Sequence, residues 1–323
     1  GLVYVAAGDD DAPLVRLDIA SGTVTTLAAG GDAAQPLPSP DGKLVAYTRD
    51  GTELRVIGID GAGDRLLARG RFGRAPFVGG GAIAWSPDAR WVAYLTQGDR
   101  GFTHAWVVPA TGGTARQVSF LASSFSGDLQ WTPDGAALLF VTRQRTEEAR
   151  IVRVPLVPRA PRFRESALTD LFADARRDTV RTVVPTELAL DGVRERVELL
   201  TPGIAVDDIA LSPDGRTLAI TSAGSGQPNL YVWSLDELAR EPATPRQLTT
   251  TAGAKGAVQW SPDGRELWFT DAGRLSVVTV ESRAVRAVAV TAELEVDFHR
   301  EKLAVFRQAW RWQRDNFYDP AMH

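Results

Sequence analysis

Serine and histidine are the residue types whose spacing could build a nucleophilic site. A Ser–His–acid triad needs a histidine within hydrogen-bond reach of an exposed serine. The sequence has three histidines, His104, His299 and His323, and no Gly-x-Ser-x-Gly segment, the pattern that presents the nucleophile in α/β-hydrolases. Ser225, in Gly224-Ser225-Gly226-Gln227, has the surroundings of a hairpin loop. We therefore predict no catalytic residue here, and we interpret His104, next to a strand pattern, as structural or channel-facing.

Aspartates recur at one position of a repeated turn and could indicate a ring of metal ligands. Because the repeat supplies one aspartate per structural unit, symmetry would keep these side chains apart, and capping of the turn is the better explanation. Two acidic runs, Asp9-Asp10-Asp11 and Asp207-Asp208, could hold a cation weakly, but solvated loops are the simpler interpretation. The sequence therefore predicts no metal and no cofactor. The repeated aspartates are Asp41, Asp88, Asp134, Asp214 and Asp263.

Charge and composition limit the classes of partner. The net charge of −4 gives no reason to expect nucleic acid, and the absence of cysteine excludes disulfides and thiolate metal sites. No apolar run approaches the roughly 20 residues of a membrane helix, and no signal peptide is visible, which leaves both periplasm and cytoplasm open. The oligomeric state, including a homo-oligomer, is also left open. An arginine cluster in the longest insertion could bind an acidic surface or a peptide carboxylate, but a solvated face is favoured. Its members are Arg159, Arg162, Arg164, Arg176 and Arg177.

A repeated turn indicates which strands and hairpins carry these residues. Its clearest copy is Trp260-Ser261-Pro262-Asp263-Gly264. Proline presets φ for a type I turn, aspartate accepts hydrogen bonds from nearby backbone N–H groups, and glycine closes the turn with a positive φ. Ala89 replaces that glycine in one copy and should cost roughly 1 kcal/mol if it keeps a positive φ. The other copies are Ser39-Pro40-Asp41-Gly42, Ser86-Pro87-Asp88-Ala89, Thr132-Pro133-Asp134-Gly135 and Ser212-Pro213-Asp214-Gly215.

The strand after each turn is apolar at consecutive positions. Since successive strand residues point to opposite faces of a sheet, both faces of these strands must be covered. Almost no amphipathic helical pattern separates the strands, which favours radially stacked antiparallel sheets over a parallel α/β sheet. The sequence therefore predicts an all-β fold, a β-propeller of six four-stranded antiparallel blades, or seven if a blade precedes Gly1, with a C-terminal helix. The apolar triplets are Val45-Ala46-Tyr47, Val92-Ala93-Tyr94, Leu138-Leu139-Phe140, Leu218-Ala219-Ile220 and Leu267-Trp268-Phe269.

The propeller is predicted to occupy residues 1–297. Residues 1–30 have the pattern of a blade without its first strand, and the alternating segment Thr291–Asp297 could supply that strand and close the ring. The third and fourth copies of the repeated turn are about 80 residues apart, whereas the other successive copies are 46 to 49 residues apart. The excess is an insertion at about 155–194, in which we predict a short helix at Glu165–Arg177 and an extra strand at Thr182–Leu190. Long insertions on repeats often lie on the binding face; the alternative is a surface excursion without a binding role.

The last segment changes to helical spacing. Apolar residues such as Phe306 and Trp310 define a broad stripe, Asp297 is a suitable N-cap, and Pro320 would end the helix. We predict that residues 298–323 are the helical start of a following domain and that the chain is a piece of a longer polypeptide. Trp310 and its neighbours are expected to pack against that domain.

These segments resemble a known family. The repeated Ser-Pro-Asp-Gly turns look like the blades of TolB and of tricorn-type proteases. The ending from Phe306 to His323, FRQAWRWQRDNFYDPAMH, resembles the segment that leads from propeller to catalytic core in tricorn-like serine peptidases. The segment Glu187–Arg196 is similar to a strand-turn element of those propellers.

The resemblance implies a serine peptidase whose propeller gates or docks peptide or protein substrates for a downstream core. The nucleophile and the general base would lie outside this chain, so none is assigned here, and the chain alone is expected to be inactive. The alternative is a TolB-like protein–protein interaction module without enzymatic activity. A third interpretation is the propeller of a prolyl-oligopeptidase-like hydrolase.

Overall fold

The computed structural model describes most of the chain. The described residues are 1–6, 11–73, 81–98, 100–144, 148–159, 187–224, 226–239, 242–291, 293, 296–317 and 319. Several predictions concern residues outside these ranges: Asp9 and Asp10, the helix at Glu165–Arg177, most of the strand at Thr182–Leu190, four of the five clustered arginines, Ser225 and His323.

The described residues form six antiparallel sheets that follow one another along the chain, five with four strands and the first with three. The prediction of an all-β propeller is confirmed. The sheets comprise β1 Leu2–Val5, β2 Leu14–Leu17, β3 Val24–Ala28; β4 Ala33–Pro38, β5 Leu44–Arg49, β6 Glu53–Gly58, β7 Arg65–Arg69; β8 Ile83–Trp85, β9 Trp91–Gln97, β10 Thr103–Pro109, β11 Arg116–Gln117; β12 Phe125–Trp131, β13 Ala137–Arg143, β14 Arg150–Pro155, β15 Glu198–Leu200; β16 Asp208–Leu211, β17 Thr217–Ser222, β18 Asn229–Ser234, β19 Arg246–Gln247; and β20 Lys255–Trp260, β21 Glu266–Asp271, β22 Arg274–Thr279, β23 Val285–Ala287.

The second strand is buried on both faces in the second to fifth sheets, whereas in β21 of the sixth sheet Leu267 and Phe269 are buried and Trp268 on the other face is partly buried. Ala46 and Ala93 are fully buried and Ala219 is 1% exposed, and large residues of the second strands, such as Tyr47 and Phe140, are equally enclosed. Each core cluster joins two neighbouring sheets: Val56 of β6 packs in one cluster with Val92 of β9. This sheet-to-sheet packing is what the consecutive apolar residues predicted, because side chains on either face need a neighbouring sheet.

The first sheet has three strands in the described part of the chain. Leu14 of β2 and Leu27 of β3 pack against the second sheet, as Leu54 of β6 and Leu67 of β7 pack against the third. Strands β2 and β3 therefore correspond to third and fourth strands, so the innermost position is the one left open. The segment predicted to fill it has Ala292, Leu294 and Glu295 outside the described residues, and its described residues are not in a strand. Ring closure stays a prediction.

The long insertion lies between the third and fourth strands of the fourth sheet. After β14 the chain runs to Arg159, and it returns through a short 3-10 helix, Val193–Arg196, into β15. Strand β15, Glu198–Leu200, then completes the fourth sheet. Because strands alternate in direction, β14 ends at the same face of the propeller as the Ser-Pro-Asp-Gly turns. The insertion therefore leaves from that face, called here the turn face.

Helix α1, Phe298–Asn316, follows the last sheet, as the spacing predicted. Its N-cap is Asp297, whose carboxylate accepts hydrogen bonds from the backbone N–H groups of His299 and Arg300 at 3.0 and 3.1 Å, which satisfies two unpaired donors of the first turn. Within the described residues, no helix combines the length and apolar character that crossing a bilayer requires.

Candidate functional site: the central channel

The innermost strands of the sheets converge on the propeller axis. Strand β12 contacts β8 on one side and β16 on the other, and β16 contacts β20. Two cavities lie at opposite ends of these strands and are lined by residues from several sheets. We call the cavity near the strand starts the polar mouth and the one at the turn face the apolar mouth.

The polar mouth has a volume of about 560 Å³. Its walls carry Gln35, Asp128 and Asp208 from three inner strands and Arg71 from the segment after β7. The Nε2 atom of Gln35 is buried and has no hydrogen-bond partner within the described residues. This end of the channel therefore offers both acceptor and donor groups to a polar ligand.

The apolar mouth has a volume of about 390 Å³. Three prolines of the repeated turns, Pro40, Pro133 and Pro213, line it together with Trp85 and Trp131. Both tryptophans are 7% exposed, and the indole N–H of Trp85 donates to the carbonyl of Leu37 at 2.9 Å. The strand pattern predicts that the four tryptophans of the hairpin strands are core residues, and the rings of Trp85 and Trp131 are indeed buried. The other two, Trp260 and Trp268, are only partly buried.

Side chains from β12 bridge to the inner strand of the next sheet. The Oδ2 atom of Asp128 accepts from the backbone N–H of Ile209 at 3.2 Å. Gln130 donates from Nε2 to the carbonyl of Ile209 and accepts at Oε1 from the N–H of Leu211, both at 2.7 Å. We call this set the β12–β16 seam. It satisfies backbone groups that a strand at a sheet edge otherwise leaves open.

Asp128 and Asp208 place two carboxyl groups together in the polar mouth. Burial, the negative charge of Asp208 and a hydrogen bond to it raise the pKa of Asp128 to about 7. This is the behaviour expected when two carboxylates share a site with little solvent. The sequence singled out Asp207-Asp208 only as an acidic run and missed Asp128 and Gln130, because their meeting depends on the register between two sheets.

The five repeated aspartates cap turns, as predicted, and the structure keeps one in each of five hairpins. In each turn the preceding Ser or Thr hydroxyl donates to the aspartate Oδ1 at 2.5 to 2.6 Å. The carboxylate also accepts a backbone N–H two residues on, from Lys43 to Asp41 at 3.2 Å in the first copy. The Ser39 hydroxyl holds the pKa of Asp41 below its ordinary value. These carboxylates are occupied inside their own turns.

The histidine at position 104 has a structural place. It lies in β10 just before Ala105, whose N–H donates to the hydroxyl of Ser119 at 2.8 Å. Asn229 has the equivalent position in the fifth sheet: it precedes Leu230, whose N–H donates to the hydroxyl of Thr249. The Nδ1 atom of His104 is buried without a partner within the described residues, and burial lowers its pKa. Within the described residues, no serine hydroxyl hydrogen-bonds to that nitrogen.

The remaining candidates stay apart from the channel. Asp11 accepts the N–H of Gly30 at 3.1 Å, and Asp207 accepts that of Ala223 at 2.9 Å. Arg159, the one described member of the arginine cluster, pairs with Glu237 at 3.2 Å. Within the described ranges, no group of three or more His, Cys, Asp or Glu side chains could hold a metal ion.

Comparison with known proteins identifies the fold. No protein-family model and no curated protein sequence matches the chain, but solved structures do. The tricorn protease is similar over 99% of this chain and 32% of its own, with 15% identity and a TM-score of 0.67. TolB from Acinetobacter baumannii is similar over 85% of this chain and 58% of its own, with 16% identity and a TM-score of 0.52.

A third structure shows how widely this architecture is shared. An oligogalacturonate lyase solved in complex with manganese is similar over 94% of this chain and 77% of its own, with 16% identity and a TM-score of 0.60. At such identities the likeness establishes a β-propeller and no activity. The chain spans about a third of the tricorn protease chain and just over half of the TolB chain.

Proposed function

We propose that this chain is the non-catalytic propeller of a tricorn-like serine peptidase, and that it gates or docks peptide substrates for a proteolytic core. The observation that carries the proposal is helix α1, which follows the last sheet with large apolar residues exposed: Phe298 is 70%, Phe306 69% and Trp310 53% exposed. An apolar stripe of this size on a helix is stabilised when a second body covers it. The peptidase core is that body.

The channel supports the docking part of the proposal. Its two mouths differ in chemistry, with amide and carboxyl groups at one end and proline and tryptophan rings at the other. A peptide has the same mixture of backbone hydrogen-bonding groups and apolar side chains. The insertion leaves from the turn face, where the apolar mouth opens, and Arg159 at its start bonds to Glu237 of the next sheet at 3.2 Å.

Peptide docking is tested by narrowing the polar mouth. Ala257 lines this mouth at φ 49°, so Ala257→Trp places a large ring in the cavity. The matched control is Ala272→Trp, since Ala272 has the same φ of 49° and lies in an exposed turn of the same sheet outside the cavity lining. With fluorescein-labelled random peptides, anisotropy titration should show weaker binding for Ala257→Trp and unchanged binding for the control. Equal binding by both variants and the parent would overturn docking in the channel.

The peptidase part is tested in two ways. The purified chain should not cleave fluorogenic peptides, and turnover by it would contradict a non-catalytic role. The reading frame that contains this chain should continue into a domain with a serine nucleophile, and a frame that ends soon after α1 would remove the proposed core.

A TolB-like interaction module is the second candidate, favoured by the likeness to TolB. It predicts a folded protein partner bound at one propeller face, with affinity insensitive to Ala257→Trp. Chemical cross-linking to such a partner, with no peptide binding in the channel, would favour this candidate over the first.

A further inference from the structure

The β12–β16 seam is held partly by one carboxyl group whose position is fixed from two sides. Asp128 has φ 53° at a bulge between Gly127 and Gln130. Across from it, Gly81 lies so close that an added Cβ would stand 2.8 Å from the Asp128 Cα, and the N–H of Leu129 donates to the Gly81 carbonyl at 2.7 Å. The backbone of Asp128 is therefore held in place beside the seam.

The charged side chains around this carboxyl group belong to the lining of the polar mouth. Asp208 of β16 lines the same cavity as Asp128, and the Asp208 Oδ2 accepts from the Thr221 hydroxyl of β17 at 3.2 Å. Arg71 is the cationic residue on the described wall of the same cavity. No ion pair within the described residues joins Arg71 to either carboxyl group. The pair therefore relies on a shared proton to remove the repulsion between its members.

We propose that Asp128 and Asp208 form a pH-sensitive latch that holds the inner strands of the fourth and fifth sheets together at the polar mouth. In the protonated state, Asp128 donates to Asp208 while its other oxygen accepts from Ile209. When the proton leaves to solvent, two carboxylates face each other across the seam, and the seam opens more easily. The latch thus links the width of one channel mouth to pH.

Because the pKa of Asp128 is raised in the folded chain, the latch should contribute less to stability as pH rises. The folded chain keeps a proton on Asp128 up to about pH 7, whereas an unfolded aspartate loses it near pH 4. The folded state therefore binds more protons than the unfolded state in this window, and stability falls as pH rises through it. Above the folded pKa the loss is complete and the contribution to stability levels off.

Hydrogen–deuterium exchange of the Ile209 amide tests the latch directly, since this N–H bonds to Asp128. From pH 6 to pH 8, after correction for intrinsic exchange, its protection factor should fall by about tenfold, the change that one pKa unit represents. The amide of Ala110, which bonds to the Arg90 carbonyl at 2.8 Å in another sheet, should keep its protection.

Two variants separate the latch from general effects of charge. Asp128→Asn can donate to Asp208 at every pH, so its Ile209 protection should not depend on pH. Asp208→Asn also removes the repulsion and serves if the first variant does not fold. Glu281→Gln removes an exposed charge in the turn before β23 and should behave as the parent. A pH-independent Ile209 protection factor in the parent, or the same pH dependence in the parent and both asparagine variants, would overturn the proposal.

Discussion

The guanidinium group of Arg311 in α1 lies 3.2 Å from the carboxylate of Asp32, Nη1 to Oδ1. Asp32 stands just before β4, where its backbone N–H and carbonyl are both bonded to Asp50 at 2.9 Å. The two side chains are 25% and 17% exposed. The C-terminal half of the helix is therefore tethered to a well-supported turn of the second sheet, although much of its apolar stripe is exposed.

Removing the tether should loosen the helix and leave the propeller folded. In Arg311→Ala, a partly exposed ion pair worth up to about 1 kcal/mol is lost, so amide exchange in α1 should become several-fold faster while the melting temperature changes little. Lys302→Ala, on an exposed position of the same helix, is the control and should exchange as the parent does. Unchanged exchange in Arg311→Ala would show that other contacts position the helix.

The hydroxyl of each repeated turn should contribute measurably to stability. Ser212 is 4% exposed; its Oγ donates to Asp214 at 2.5 Å and accepts from the N–H of Thr217 at 3.0 Å. Ser212→Ala leaves these groups without a partner and should lower the free energy of unfolding by about 1–3 kcal/mol, measured by urea denaturation. Ser212→Thr should restore most of it, because Thr132 makes the same bonds naturally. Failure of threonine to rescue would point to packing instead.

The glycine position of these turns gives a reciprocal pair of substitutions. Ala89 has φ 57° and Gly42 has φ 70° at equivalent places, and an added Cβ at Gly42 would meet nothing within 4 Å. Backbone strain alone should therefore decide the result at Gly42, and at Ala89 it should outweigh the small loss of packing against the core of the second and third sheets. Ala89→Gly should stabilise the chain and Gly42→Ala destabilise it, each by roughly 1 kcal/mol, as thermal melts can report. Shifts of the same sign in both would contradict this explanation.

Local chemistry explains how much of the fold the sequence predicted. The turn residues specify a hairpin within five positions, and the apolar triplet after them specifies burial on both faces, so strands such as β5 and β17 fall close to where the pattern predicts them. The serine hydroxyl that completes each turn was not predicted, since its bond to aspartate appears only once the backbone is closed.

The channel site was harder to predict because it depends on relations between sheets. Asp128 and Asp208 come from different repeats, and the bulge that turns Asp128 toward the next strand leaves no trace in the residue pattern. Gln35 and Ala257 share that positive φ on other inner strands, with quite different side chains. A repeat predicts where the inner strands lie but not which of their side chains meet.

Gln130 and Gln259 occupy equivalent positions after the bulges of β12 and β20. Gln130 bonds to Ile209 and Leu211 of the next inner strand at 2.7 Å. Within the described residues no further inner strand follows β20, and there Gln259 is exposed. The side chain of Gln130 joins two sheets, whereas that of Gln259 does not.

Gln130→Leu should therefore destabilise the chain while Gln259→Leu should not. Leucine has a similar volume but cannot replace the amide, so the Ile209 carbonyl and the Leu211 N–H lose their partners at a cost of about 1–3 kcal/mol. Urea denaturation of both variants measures the difference, and faster exchange of the Leu211 amide in Gln130→Leu would locate it. Equal destabilisation by the two substitutions would indicate that an inner strand does occupy the first sheet, as the alternation of Thr291–Asp297 predicted, because Gln259 would then have a strand to bond.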